Sequence, residues 1–228
     1  MGLASLQPLT NPTAKLSLAD GTPGAAAMRT LRSVVQATCP THFHVNATTR
    51  RPVIVLTDAC TTRDKLGGLG VVVWDPDGGP AGRLYYAAGK VPPWMLALFE
   101  RLQRKKTYIA TYELLAEVCA YITFPDVLQG RIVHHFVDNS AALSGSIKAY
   151  SSRPDCARVI DALVARILKL SCRPWFGFVY SEDNLSDLPS RGAYDVLIAL
   201  GAKRRALVRP SLATLGRQEP PVPGLKIE

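Results

Sequence analysis

The chain has 228 residues, of which 47% are hydrophobic and 20% charged. That balance excludes a wholly disordered chain and suits one domain with tails or two small domains. The net charge of +9 hints at a polyanionic partner, but it is unevenly spread. Residues 1–50 carry four basic side chains against one acidic, residues 51–200 carry 17 against 15, and residues 201–228 carry six against two. The middle is nearly neutral and the ends are basic. The five cysteines are odd in number and include no CxxC pair, which disfavours a disulfide framework or a zinc knuckle and fits a reducing compartment. No apolar run approaches the ~20 residues of a membrane helix, and no signal peptide is visible. The expectation is an intracellular protein, nucleus or cytoplasm undecided, with no membrane partner.

Taken in chain order, residues 1–27 are rich in Pro, Gly, Ala, Ser and Thr and read as a flexible lead, which with a short amphipathic helix from Met28 to Ala37 extends to residue 50. Val53-Ile54-Val55-Leu56 reads as a buried strand ending at Thr57-Asp58. Leu69 to Trp74 and Arg83 to Ala88 read as two more strands around the Asp75–Pro80 turn, completing an antiparallel meander. Pro92-Pro93 opens a short helix through Leu102. Thr107 can cap a longer helix through Thr123, with Ile109, Ala116 and Ala120 on one stripe. Arg131 to Asp138 is the fourth strand, followed by helices at Ser140–Ile147 and Pro154–Leu170. Trp175 to Tyr180 is the fifth strand, and Ser186 to Ala199 the last helix, with Pro189 tolerated in its first turn. The order implies an α/β fold with a mixed five-stranded sheet and helices on both faces. From residue 201 to 228 the chain reads as a basic flexible tail.

Four carboxylates fall where sites are built. Asp58 ends the first strand, Glu113 lies early in the long helix, Asp138 ends the fourth strand, and Asp187 sits in the first turn of the last helix. If the first and fourth strands are adjacent and parallel, Asp58 and Asp138 meet at their carboxyl ends, where open α/β sheets place their sites. Converging carboxylates repel one another unless cations neutralise them, and hard oxygen ligands suit Mg²⁺ or Mn²⁺. A pair of such ions can clamp the attacking and leaving oxygens of a phosphodiester. Singly, each acid reads more readily as a turn, cap or dipole partner. Glu117 shares a helix face with Glu113, and spacing does not choose between them.

The residues in these settings carry a resemblance. Val53–Ala59 resembles the first strand of a type-1 ribonuclease H, Ile109–Ala116 its helix with the catalytic Glu, Phe136–Ala142 its fourth strand and turn, and Asn184–Arg191 the segment with the last Asp. Together with Ile147–Ser151 the set is similar to the ribonuclease H domain that follows reverse transcriptase in retrotransposons, of the tyrosine-recombinase type and related elements. It covers about residues 50–200, a ribonuclease H-like domain. The resemblance implies endonucleolytic cleavage of the RNA strand of an RNA–DNA hybrid, leaving 5′-phosphate and 3′-hydroxyl ends. It implies two Mg²⁺ ions, Mn²⁺ being the other candidate, held by Asp58, Glu113, Asp138 and Asp187. It also implies an upstream reverse transcriptase domain as partner, with residues 28–50 as a remnant of the connection. Asn139 is placed either to contact the RNA strand or to cap the next helix. Arg101, Arg104, Lys105 and Lys106, just before the Glu113 helix, are candidate phosphate contacts.

Two features depart from the family pattern. Its frequent His before the last Asp has no counterpart, because His42, His44, His134 and His135 all precede Asp138, and Cys60 stands where Ser is common. His134-His135 reads as packing within a strand. Lys203-Arg204-Arg205 can bind nucleic acid, act as a nuclear signal or solubilise the end. Two other readings stand beside hydrolysis: a catalytically inactive module that binds nucleic acid, and a transposase or integrase of the same fold using Asp58, Asp138 and Glu182.

Overall fold

The computed structural model describes residues 50–61, 67–102 and 108–215. The expectations for the lead at 1–49, for Thr107 and for Arg104, Lys105 and Lys106 lie outside the described residues. The elements are β1 (Val53–Thr61), β2 (Gly67–Asp75), β3 (Arg83–Lys90), α1 (Pro93–Leu102), α2 (Ile109–Thr123), α3 (Pro125–Leu128), β4 (Ile132–Val137), α4 (Ser140–Lys148), α5 (Pro154–Leu170), β5 (Arg173–Phe178), α6 (Asp187–Ser190), α7 (Asp195–Ala199) and β6 (Lys203–Ala206). Among the described residues the sheet has six strands in the order β5-β4-β1-β2-β3-β6. The expected meander is there, with β1-β2 and β2-β3 antiparallel. The β1-β4, β4-β5 and β3-β6 pairs are parallel, so the sheet is mixed, as expected.

Alternation along β1 sorts the molecule into two faces. Val53, Val55, Thr57 and Ala59 point into the main core, while Ile54, Leu56, Asp58 and Cys60 point to the other face. The main core is filled by α1, α2 and α5. Met95, Leu98 and Phe99 of α1 recur at helical spacing, and α5 contributes Val159, Ile160 and Leu163. Helix α2 is buried on nearly all sides, as an apolar-all-round helix must be, although Ile109 at its start is exposed. On the opposite face a smaller cluster of Val72, Tyr86 and Leu197 packs α7 against the sheet, and α6 lies on Gly68 and Gly70 of β2. Helices therefore cover both faces. No helix among the described residues is long and apolar enough to cross a membrane.

Three expectations are corrected. The sheet has a sixth strand, β6, where a structureless tail was expected after residue 200: Lys203–Ala206 pairs with Tyr85–Ala88 of β3. Its cationic side chains lie over rings, Arg204 over Tyr194 and Arg205 over Tyr85 and Phe124, and Arg205 also pairs with Asp126. Beyond it, Leu207 and Leu215 are buried in the main core. The expected single helix over Ser186–Ala199 is two short ones, α6 and α7, separated where Gly192 takes a left-handed φ of +81°. Strand β1 does not end at Asp58 but runs on to Thr61, because its pairing with β2 continues from Asp58↔Gly70 to Thr61↔Gly67.

Candidate metal centre

The parallel register of β1 and β4 positions two of the four acids. Leu56 is level with Phe136, where the pairing stops, so Asp58 and Asp138 each lie two residues beyond the last paired rung. Glu113, in the second turn of α2, arrives from the main-core side, and its carboxylate receives the backbone N–H of Ala59. Ligand atoms from Asp58, Glu113 and Asp138 all lie within 4.8 Å of one another. The condition set by the sequence, adjacent and parallel first and fourth strands, is met.

The surroundings of the group penalise negative charge. Asp58 and Glu113 are almost wholly buried, at 4% and 3% exposure, and Asp138 is half-buried. Burial, partly offset by the hydrogen bond from Ser190 and reinforced by Asp138 and Asp187, raises the Asp58 carboxyl to about 6. Burial, with Asp58 and Asp138 nearby, pushes Glu113 to about 10. Its Oε2 is buried without a hydrogen-bond partner. Three carboxylates, two of them desolvated and one of those two with an orphaned oxygen, form a hard donor set that fits a divalent cation such as Mg²⁺ or Mn²⁺.

The fourth acid is held differently. Asp187 lies close enough to Asp58 to raise its pKa, but its Oδ1 accepts from Arg191 Nε at 2.7 Å, and it is not among the three convergent acids. Glu117 is also separated from them. One turn beyond Glu113, it accepts a 2.6 Å hydrogen bond from Ser146 Oγ of α4, and burial raises it to about 8. Glu182 is exposed in a 3-10 turn at Ser181–Asp183, away from the group. Asn139 caps α4, its Oδ1 accepting the N–H groups of Ala141 and Ala142 at 3.1 and 3.0 Å. That leaves its Nδ2 donors for other partners. Arg101 is exposed in the last turn of α1.

Several supporting residues were not singled out from the sequence. Ser190 Oγ donates to Asp58 Oδ2, and Asn184 Nδ2 donates to the carbonyl of Thr57 at 3.2 Å, tying the α6 segment to β1 beside Asp58. Gly68 and Gly70 of β2 let α6 lie directly on the sheet. A Cβ at Gly70 would sit 2.3 Å from the Ser186 carbonyl oxygen, and one at Gly68 would sit 2.0 Å from that of Ser190. The glycine pair beside the strand was the available signal. His135 is wholly buried between Thr57 Oγ1 at 2.9 Å and Tyr121 OH at 3.2 Å, and burial lowers it to about 3. His134 packs its ring edge-on against Trp175. Both histidines serve packing, as the strand pattern suggested.

No protein-family model matches the chain, and no curated protein matches it in sequence. Among solved structures it is similar to RNase H1 from the halophilic archaeon Halobacterium salinarum NRC-1, with 17% identity over 64% of this chain and 99% of that one and a TM-score of 0.45. The N-terminal RNase H domain of rv2228c from Mycobacterium tuberculosis matches with 13% identity over 66% and 99% of the two chains and a TM-score of 0.44. LC11-RNase H1, isolated from compost and solved in complex with an RNA/DNA hybrid, matches with 16% identity over 64% and 99% and a TM-score of 0.42.

Proposed function

We propose that the protein is a metal-dependent endonuclease that hydrolyses the RNA strand of RNA–DNA hybrids, in a ribonuclease H-like domain of retroelement origin. The observation that carries this reading is the convergence of Asp58, Glu113 and Asp138 within 4.8 Å, each in a sequence setting that resembles type-1 ribonuclease H. These three carboxylates would hold the Mg²⁺ or Mn²⁺ ions, and Asp187 would join them as the fourth. The chemistry supplied by bound cations is activation of the attacking water and neutralisation of charge at the departing 3′ oxygen.

The chain's own residues prepare the site for that chemistry. Ser190 fixes the rotamer of Asp58 by hydrogen bonding. The Asn139 cap fixes the backbone after Asp138 through Oδ1, and its Nδ2 donors would be the group to meet the 2′-hydroxyls that distinguish RNA from DNA. Arg191 neutralises Asp187 and so lowers the repulsion felt by Asp58. Arg101, with Arg104, Lys105 and Lys106 of the following segment, would meet the phosphates of the duplex. An upstream reverse transcriptase domain remains the partner in this reading.

A nucleic-acid-binding module without cleavage is the second reading, favoured by one observation: Asp187 is paired with Arg191 rather than grouped with the other three acids. The integrase-like triad is disfavoured, since Glu182 is exposed and outside the group. The test is incubation with strand-labelled RNA–DNA hybrid, RNA duplex and DNA duplex, with and without Mg²⁺. RNA-strand cleavage of the hybrid alone, lost on Asp138→Asn, is expected. Hybrid binding without cleavage under any metal would establish the second reading.

A further inference from the structure

A pocket of about 450 Å³ opens beside the carboxylates, where the ends of β1 and β3 and the start of β2 meet α6. Its position ties it to the metal centre. Ser190, which donates to Asp58, forms part of its wall, and so does Cys60, two residues after Asp58 on the same face of β1. Three glycines line it, Gly68, Gly89 and Gly192, of which Gly192 is open on its Cβ side. Among the described residues its lining charge is of one sign, from Lys90 and Arg191. A second guanidinium, Arg209, lies over Gly89 and donates its Nε to the Lys90 carbonyl at 2.8 Å.

Arg191 is oriented for an anion. Its Nε is spent on Asp187, which anchors the guanidinium while its two terminal amino groups remain for a ligand. Lys90 is exposed at the end of β3 and supplies a second, movable charge. The Tyr194 ring in the pocket lining already packs against Tyr86 and carries the Arg204 guanidinium. A site lined by two cations that shares Ser190 with the metal-binding carboxylates fits a phosphate of a sugar-phosphate segment. Its volume is above the roughly 300 Å³ at which small-ligand sites begin.

We propose that this pocket is a subsite for a phosphodiester group of the nucleic-acid strand bound at the metal centre, held between Lys90 and Arg191. The assignment deepens the hybrid-cleavage reading and rests on it for the identity of the ligand. The first measurement is binding of a fluorescent hybrid, with 2′-O-methyl groups on the RNA strand to block cleavage, in Mg²⁺ over a salt series. Lys90→Glu is expected to weaken binding about tenfold at low salt and to reduce the slope of log K against log salt by about 1, as loss of one phosphate contact requires. Wild-type affinity and slope in Lys90→Glu would overturn the subsite while leaving the hydrolase reading intact.

The second measurement uses Cys60 as a reporter, its alkylation by iodoacetamide followed by peptide mapping. Inorganic phosphate, uridine 5′-monophosphate and the hybrid are each expected to slow the reaction in the wild type and not in Lys90→Ala. If the wild type binds no hybrid, the functional reading fails on that result alone. Protection by phosphate or the mononucleotide but not by a bound hybrid would overturn the strand assignment, and protection by none would overturn the pocket as an anion site.

Discussion

Glu117 offers a quantitative check on how the two glutamates of α2 differ. It is fully buried, and burial holds its proton to about 8, whereas the unfolded chain releases it near 4.5. Between those values the unfolded state binds fewer protons than the folded state, so stability falls as pH rises and levels off above about 8. At roughly 1.4 kcal/mol per pK unit, the loss is on the order of 5 kcal/mol, a large share of the 5–15 kcal/mol typical of a domain. Glu117→Gln removes this dependence. The amide mimics the protonated carboxyl, can still accept from Ser146, and leaves unpaired only the atom that Oε1 already leaves unpaired. Urea denaturation of wild type and variant at pH 5, 6.5 and 8 checks it. The two are expected to be similar at pH 5, and the variant to be the more stable by several kcal/mol at pH 8. Comparing the pair cancels the opposite trend of His135, whose lowered pKa costs stability as pH falls below 6.5. Parallel pH profiles would refute the reasoning, because they would mean that Glu117 carries no proton in the fold.

Glu113→Gln is expected to behave in the opposite functional sense: hydrolysis is lost, and the rise in Tm on adding Mg²⁺ expected of wild type and Glu117→Gln is absent, which differential scanning fluorimetry would show. Gly70→Ala drives a methyl into the Ser186 carbonyl and the Ser190 amide, both backbone, so α6 must shift. It is expected to cost about 1–3 kcal/mol in urea melts and to lower activity further by displacing the Ser190–Asp58 bond. Asn139→Ala removes the α4 cap and should cost about 0.5–2 kcal/mol, whereas Asn139→Ser should keep most of the stability while losing the Nδ2 donors. A drop in hybrid cleavage by the Ser variant at unchanged Tm separates RNA contact from capping.

Much of the fold was legible because local rules and the final packing agree. The β-branched runs became β1 and β2, the Asp75–Pro80 turn closed the β2-β3 hairpin, and α5 spans Pro154–Leu170 as its periodicity and N-terminal proline indicated. Strand β6 was not legible, since Lys-Arg-Arg-Ala has neither apolar alternation nor β-branching. It is a strand because β3 offers an open edge, and Tyr85 of β3 and Tyr194 before α7 offer rings to receive the guanidinium groups. The single helix expected over Ser186–Ala199 failed for a reason visible only in the backbone, the left-handed conformation of Gly192.

The same division holds at the candidate site. The order and setting of Asp58, Glu113, Asp138 and Asp187 along the chain determined which acids were candidates, because strand ends and helix first turns follow from local pattern. Which of them converge was a matter of register and helix rotation, and these belong to tertiary structure. The parallel β1-β4 pairing brings Asp58 level with Asp138. The seating of α2 turns Glu113 toward them and Glu117 toward Ser146. The approach of α6, permitted by Gly68 and Gly70, gives Asp58 its serine. Spacing in sequence fixes which residues share an element, but only packing between elements fixes which of their atoms lie within bonding reach of one cation.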